Sequence, residues 1–451
     1  MKYAVITFGC RVNQADSLGF EEQLLASGAK AASPEAADMV IVNTCSVTAT
    51  ADQGARQTIR RIARSNPAAK IVVTGCYATR RPDELASLPN VAEVVVNDDK
   101  PRLVQILRRV AVETDGDVRL KADTTNEVRL TTEVRLKADT TTAGAVVGDG
   151  PCGATIEPGV AGRTAFTLRV QTGCAEPCSY CIIPTTRGMP RSIAIEDVLR
   201  EVARVAAAGF KEIALTGVHL GSYGRDLTPR SSLIDLLRAI DQSPATTSAE
   251  GVLFRISSLE PMDCTPEIVD LVFGSDRFAP HFHLPLQHAS NRILSAMRRP
   301  YTVEYYAALV DDIRSRIPHA SIGSDIIVGF PGETADDFEQ LASYLERSPL
   351  THLHVFPYSD RPGTAASQLG NRVAGGETRE RGRRVREIGQ RLAARFRDSQ
   401  VGTNHRALTL EDGSLAVTGN YLKLRIPPGP PRNTWVRVRM TSHHDGELLA
   451  G

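Results

Sequence analysis

Residues 173–181 read Gly-Cys-Ala-Glu-Pro-Cys-Ser-Tyr-Cys, setting Cys174, Cys178 and Cys181 in a C-x3-C-x2-C array. Three thiolates this close can ligate three irons of one four-iron (4Fe-4S) cubane and leave the fourth iron open. Zinc is the competing occupant, and it would want a fourth ligand nearby in sequence or space. The array directly follows a Phe/Leu/Val-bearing run, Ala165–Val170, that reads as a strand. With eight cysteines among 451 residues the chain has too few for a disulfide scaffold. In a reducing compartment, clustered cysteines point instead to metal or redox chemistry.

What surrounds the array sets the fold. From residue 164 strand and helix patterns alternate about six times, with strands predicted at Ala165–Val170, Glu212–Thr216, Leu253–Ser257, Phe282–Leu286, Ile322–Val328 and His352–Phe356. Helical patterns lie between them, among them Ile195–Ala208, Leu233–Asp241, Val303–Arg316 and Ala335–Glu346. Consecutive βα units of this kind predict an incomplete (βα)6 barrel, with functional residues in the loops after each strand. Residues 1–112 alternate as well, with Tyr3–Phe8, Asp38–Asn43, Lys70–Thr74 and Val91–Val96 as short Val/Ile-rich strands. That pattern predicts a doubly wound parallel sheet. After an Arg-rich amphipathic helix over 376–398, the period falls to two. Leu422, Leu424, Ile426 and Val436, Val438, Met440 alternate with polar residues, predicting a small antiparallel barrel over 398–451. Four regions are therefore expected: 1–112, an insert 113–162, the barrel 163–397 and the small barrel 398–451.

The insert is a repeat. Val118–Thr125 recurs as Val134–Thr141 with a partial copy at Val128–Thr132 between them. Two and a half copies rich in Thr, Asp and Arg cannot bury a solenoid core, so the segment reads as a linker without assigned function. Hydrophobic residues at 42% and charged residues at 23% suit globular domains. No apolar run reaches the roughly 18 residues of a membrane span, and the N-terminal apolar stretch ends by Phe8. A cytoplasmic protein with no membrane partner is expected. The net charge of +1 hides a basic C-terminal part: residues 376–451 carry 14 Lys and Arg against 8 acidic residues. Such an excess suggests a polyanion-contacting module.

A second cysteine set is dispersed. Cys10, Cys45 and Cys76 lie far apart in sequence, yet each ends a predicted strand: YAVITFGC, DMVIVNTC and KIVVTGC. Parallel strands deliver their carboxyl ends to one edge of a doubly wound sheet, so the three thiols are expected to converge on a second three-thiolate iron–sulfur site. Cys152 and Cys264 have no such placement and are not expected to be ligands.

The cysteine loop after the first barrel strand resembles that of the radical S-adenosylmethionine (SAM) superfamily, and with the dispersed set and terminal barrel the chain resembles the radical methylthiotransferases. The similar segments are Thr7–Ser17, Val42–Thr48, Gln171–Gly188, Leu284–His288, Gly323–Glu333 and Phe356–Thr364. The C-terminal barrel is similar to a TRAM domain. The G-C-R-V-N-Q start and the N-T-C-S-V-T segment resemble the MtaB-type branch, which acts on threonylcarbamoyladenosine at tRNA position 37. His288 departs from the family's usual Ser.

The resemblance implies two 4Fe-4S clusters, one on Cys174, Cys178 and Cys181 and one on Cys10, Cys45 and Cys76, with SAM as co-substrate. It implies SAM contacts at Tyr180, Thr216, Gly217, Glu260, Gln287, Val328 and Gly329, and assigns Arg187 and Arg298 to the SAM carboxylate or RNA phosphate. The implied partners are the tRNA anticodon loop and an electron donor such as flavodoxin or ferredoxin; the sulfur donor stays open. No side chain is given a catalytic role, because cluster and SAM supply the radical. On the small barrel, Lys423, Arg425, Arg437 and Arg439 form a basic face suited to phosphates, with Tyr421 and Trp435 available to stack on bases. Other readings are the same chemistry on isopentenyladenosine or a ribosomal-protein side chain, and a non-enzymatic electron carrier.

Overall fold

The computed structural model describes residues 1–117, 164–244, 251–444 and 447–450. The 118–142 repeat and Cys152 lie outside the described residues. The described residues form two compact units, one on residues 1–46 and 50–117 and one that includes all those from 164 onward.

The first unit holds β1 (Lys2–Thr7), α1 (Arg11–Ala26), β2 (Lys30–Ala31), β3 (Met39–Thr44), α2 (Ala49–Ser65), β4 (Lys70–Gly75), α3 (Cys76–Arg80), α4 (Pro82–Ala86), β5 (Val91–Val95) and α5 (Leu103–Asp117). The strands are all parallel, in the order β2-β1-β3-β4-β5. Their sequence explains their place. Every residue of β3 is buried, and successive residues serve opposite faces. Val40, Val42, Ile71 and Val73 pack with Ile59 and Tyr77 on one side, while Ile41 and Val72 pack with Phe20, Leu24 and Leu107 on the other. Helices on both faces demand apolar residues at both parities, which is why the strands read as continuous apolar runs. The two-residue edge strand β2 is too short to carry such a signal.

The second unit begins with β6 (Phe166–Arg169), β7 (Gln171–Thr172), α6 (Ile183–Arg187), β8 (Arg191–Ser192), α7 (Ile195–Ala207), β9 (Glu212–Thr216), α8 (Leu233–Gln242), β10 (Leu253–Ile256) and α9 (Pro266–Gly274). It continues with β11 (His281–His283), α10 (Asn291–Ala296), α11 (Val303–Arg316), β12 (Ser321–Val328), α12 (Ala335–Arg347), β13 (His352–Pro357) and α13 (Gly375–Gln400). The main strands pair in parallel as β10-β9-β6 and β11-β12-β13. One apolar core joins the two sheets to their helices, including Ile213, Phe254, Phe282, Ile322, Leu341 and Val385. This is the six-stranded half-barrel expected. The short β7–β8 ladder was not anticipated; it pairs Gln171 with Ser192 and Thr172 with Arg191, closing the neck of the loop that carries the three clustered cysteines.

The same unit ends in β14 (Asn404–Leu410), β15 (Leu415–Thr418), β16 (Lys423–Arg425), β17 (Trp435–His444) and β18 (Glu447–Ala450), a closed barrel in the order β14-β15-β16-β18-β17. Its pairs are antiparallel except β16–β18, which is parallel. Leu424, Val438, Met440 and Leu448 fill it together with Phe396 of α13. Its β15–β16 turn reaches the half-barrel. The guanidinium of Arg255, fully buried and paired with Glu212 at 2.9 Å, donates to the Gly419 carbonyl at 2.8 Å and lies over the Tyr421 ring at 4.6 Å. Asn420 donates to the His319 carbonyl at 2.9 Å.

Candidate active site: cysteine-bearing strand ends

In the first unit, Cys10, Cys45 and Cys76 stand just beyond the carboxyl ends of β1, β3 and β4, which are neighbours in the sheet. Cys45 and Cys76 each come one residue after the paired Thr44 and Gly75, and both are buried whereas Cys10 is exposed. The loops are tied together by polar side chains. Asn13 donates to the Phe8 carbonyl at 2.8 Å and the Thr44 carbonyl at 2.9 Å, bracing the Cys10 turn against the Cys45 turn. Asn43 donates to the Asn13 carbonyl at 2.9 Å, and Thr44 to the Thr74 carbonyl at 2.6 Å. Lys100, buried, pairs with Asp16 at 2.5 Å and reaches Asn43 at 3.2 Å. The Asn97 amide approaches Cys76 Sγ at 3.8 Å.

In the second unit the loop between β7 and β8 is clamped at several points. Cys174 N–H donates to the Gly188 carbonyl at 3.0 Å, and Ser179 donates its N–H to Met297 and its hydroxyl to the Ala296 carbonyl. Tyr180 packs against Ile293, Met297, Phe330 and Ala366. Arg299 is buried; it donates to Cys178 Sγ at 3.2 Å and to the Tyr301 hydroxyl at 3.1 Å, and its guanidinium pairs with Glu260. Burial pushes the Cys181 thiol up to about 12 and raises Cys174, and neighbouring thiols push each further in the same direction. Three partly buried thiols on one loop are suited to a cationic centre, which is what deprotonates coordinating cysteine. The donor set thus fits an iron–sulfur cluster.

Each cluster of thiols shares a backbone device. Gly9, Gly75 and Gly173 immediately precede Cys10, Cys76 and Cys174, and all hold positive φ of 89°, 99° and 77°. At Gly75 a Cβ would lie 2.2 Å from the Thr44 carbonyl oxygen, and at Gly173 one would lie 1.9 Å from that of Met189. Glycine before cysteine was the available signal in the sequence.

The other expected residues stand at the strand ends. Thr216 ends β9, and its carbonyl accepts from Val170. Gly217 sits against Gln171, whose amide donates to the Gly173 carbonyl at 2.8 Å and whose oxygen accepts from His219 N–H at 2.9 Å. Gln287, at a positive φ of 68°, bridges to Ile326. Val328 ends β12, and Gly329 N–H donates to Glu333 at 2.6 Å. Glu260 meets the cysteine loop through Arg299. Of the arginines singled out, Arg187 is buried and Arg298 is exposed. It is the adjacent Arg299 that reaches the thiols, a distinction burial makes and composition cannot. His288 is fully buried; its Nδ1 accepts from Ser290 N–H at 3.0 Å, and burial lowers its pKa to about 3. Cys264 is buried in the main core.

On the small barrel Lys423, Arg425, Arg437 and Arg439 all face outward. They form two pairs rather than one face, because β18 lies between β16 and β17. Arg437 is joined by Arg406, its cross-strand partner, whose guanidinium stacks on Trp435 at 3.9 Å. Tyr421, 48% exposed, lies at the contact with the half-barrel, against Arg255 and, at 5.1 Å, His281.

A three-cysteine loop on the first strand of a six-stranded βα half-barrel is the arrangement of a radical SAM enzyme. Residues 168–345 match the radical SAM superfamily and residues 2–97 an uncharacterized protein family, UPF0004. The threonylcarbamoyladenosine tRNA methylthiotransferase MtaB of Aquifex aeolicus is 37% identical to this chain, over 94% of it and 96% of that protein. Its counterpart in Bacillus subtilis is 34% identical over 86% of this chain and 80% of that one. The chain belongs to the radical SAM methylthiotransferases, in the MtaB family. Among solved structures, the radical SAM methyltransferase TsrM of Kitasatospora setae, with cobalamin and a 4Fe-4S cluster bound, shares the fold with a TM-score of 0.54 at 16% identity, over 81% of this chain and 73% of that one. Membership implies an iron–sulfur cluster and SAM. Among the described residues, no helix is long and apolar enough to cross a membrane.

Proposed function

We propose that this chain adds a methylthio group to carbon 2 of threonylcarbamoyladenosine at tRNA position 37, acting in the cytoplasm where that substrate is found. The reading is carried by two three-cysteine sets, one at the ends of three parallel strands and one on the loop between β7 and β8, in a chain that aligns with MtaB proteins over nearly its whole length. In this reading Cys174, Cys178 and Cys181 hold one 4Fe-4S cluster and Cys10, Cys45 and Cys76 a second. When bound, the clusters and SAM would supply a radical able to attack a purine C–H bond that acid–base chemistry leaves inert, and the second cluster would hold the sulfur to be inserted.

The chain's own residues bind, orient and exclude water. Arg299 donates to the sulfur of Cys178 and pairs with the Glu260 carboxylate beside it. Gln171 fixes the turns at Gly173 and His219, and Tyr180 seals the loop against an apolar cluster. SAM would lie across the ends of the strands bearing Tyr180, Thr216, Gly217, Glu260, Gln287, Val328 and Gly329. Residues 1–112, 163–397 and 398–451 would act as cluster module, SAM module and RNA-binding module. The two basic pairs, Lys423 with Arg425 and Arg437 with Arg439, would contact tRNA phosphates, and the electron donor would be a flavodoxin or ferredoxin.

Mass spectrometry of tRNA nucleosides from a deletion strain tests the reading. Methylthio-threonylcarbamoyladenosine should vanish and return on complementation. Loss of methylthio-isopentenyladenosine instead, with the threonylcarbamoyl product intact, would overturn the substrate. Replacing all four basic residues by Ala should flatten the slope of log affinity against log salt by up to about four units, since each phosphate contact contributes roughly one.

A further inference from the structure

Three adjacent strands of the half-barrel carry a polar stripe that the cysteine chemistry leaves unused. On β11, β12 and β13 alternate residues face opposite sides. Phe282, Ile322, Ile326, Leu353 and Val355 pack toward the helices. The opposite parity holds His281 and His283, Gly323 and Asp325, and His352 and His354. The registers set His283 opposite Gly323, Gly323 opposite His352, and Asp325 opposite His354. Gly323 leaves the room that His352 fills: a Cβ there would lie 2.0 Å from His352 Nε2.

The result is convergent. His283 Nε2 lies 3.0 Å and His354 Nδ1 3.1 Å from the same oxygen of Asp325. The three ligand atoms all lie within 4.8 Å of one another. Ligand atoms around a tetrahedral zinc at about 2.0–2.1 Å stand roughly 3.3 Å apart, so little movement would admit an ion. Two imidazoles and a carboxylate suit zinc and its neighbours rather than calcium or magnesium. The ring nitrogens that face Asp325 would give up their hydrogens to ligate the ion, and a histidine ring can carry its remaining hydrogen on the other nitrogen. The His354 side chain is 57% exposed, which leaves a route for the ion and an open coordination position for water.

We propose that His283, Asp325 and His354 form a site for one divalent transition-metal ion of the zinc class, distinct from both cysteine sets. The site stands whether or not the methylthiotransferase reading holds. Its test is metal content, not turnover. Anaerobically reconstituted full-length protein, its cysteine sites filled with iron, is incubated with zinc and dialysed, and zinc and iron are counted by elemental mass spectrometry. The wild type should retain about one zinc. In competition with a chromophoric chelator, His283→Ala/His354→Ala and Asp325→Asn should bind zinc at least ~10-fold more weakly with iron unchanged. Should the double variant fail to fold, His354→Gln at the exposed ligand gives the same comparison. Zinc-edge X-ray absorption should show nitrogen and oxygen neighbours at about 2.0–2.1 Å with imidazole scattering; sulfur at about 2.3 Å would assign the zinc to cysteine and overturn the site. Wild-type protein that binds zinc no better than the variants would reduce the cluster to a hydrogen-bonded network and overturn the proposal equally.

Discussion

The two cysteine sets, proposed to do similar chemistry, are built in opposite ways. Cys174, Cys178 and Cys181 are close because they are neighbours in sequence, and the fold's work is to clamp one loop at Gly188, Met297 and Arg299. Cys10, Cys45 and Cys76 are neighbours only through the parallel order β1-β3-β4, so the β1–β3 and β3–β4 pairings are part of the proposed site. A local motif survives as long as its loop is held; a dispersed one depends on the cooperative stability of a whole unit.

The largest effect should come from removing the ligands. Each proposed three-thiolate site holds one four-iron cluster, so Cys174, Cys178 and Cys181 changed together to Ala should lower iron from about eight to about four per chain and abolish SAM cleavage. Changing Cys10, Cys45 and Cys76 should also leave about four irons, but with SAM cleavage retained and methylthio transfer lost. Full iron in either triple variant would break the two-site assignment.

The glycines sharpen the contrast. Gly75→Ala forces a Cβ against the backbone of the neighbouring strand and should cost on the order of 3 kcal/mol, lowering both the iron held by Cys10, Cys45 and Cys76 and the melting temperature. Gly173→Ala meets the backbone of its own loop and should lose the iron held by Cys174, Cys178 and Cys181 with little change in melting temperature. Equal melting shifts would show that the loop is no more local than the sheet.

Loss of single braces should be smaller. Asn13→Ala removes two hydrogen bonds between the Cys10 and Cys45 turns and should cost roughly 1–3 kcal/mol, with partial loss of the iron held by Cys10, Cys45 and Cys76 by elemental analysis. Arg299→Met should reduce only the iron held by Cys174, Cys178 and Cys181, because it strips Cys178 and Glu260 of their shared cation.

The smallest effect is a pH dependence at His288. Its folded pKa of about 3 lies below the roughly 6.5 of an unfolded histidine, so the unfolded state binds the extra proton between those values. Stability from this group is full above the unfolded pKa and is lost as pH falls toward 3. Moving from pH 7.5 to 5.5 should cost about 1.4 kcal/mol, and His288→Ser should remove that share of the pH dependence in denaturation curves. An unchanged dependence would mean that His288 is solvated on the unfolding time scale.

Much of this was legible in the chain. Residues 39–44 and 70–75 are apolar at both parities because helices cover both faces of their sheet, so burial writes itself into composition. The C-x3-C-x2-C array is read directly because its ligands are covalently close, and the three dispersed cysteines because each stands at a strand end in a parallel sheet. Only tertiary structure separated Arg299 from Arg298, since two adjacent identical residues differ only in which one the core encloses. Only it turned Tyr421 toward Arg255 and split the basic residues into two pairs, through the insertion of β18 beside β16. The His283, Asp325 and His354 convergence also required the register of three strands far apart in sequence. Local patterns report what one segment buries. Which distant side chains meet is decided by strand register, which no single segment contains.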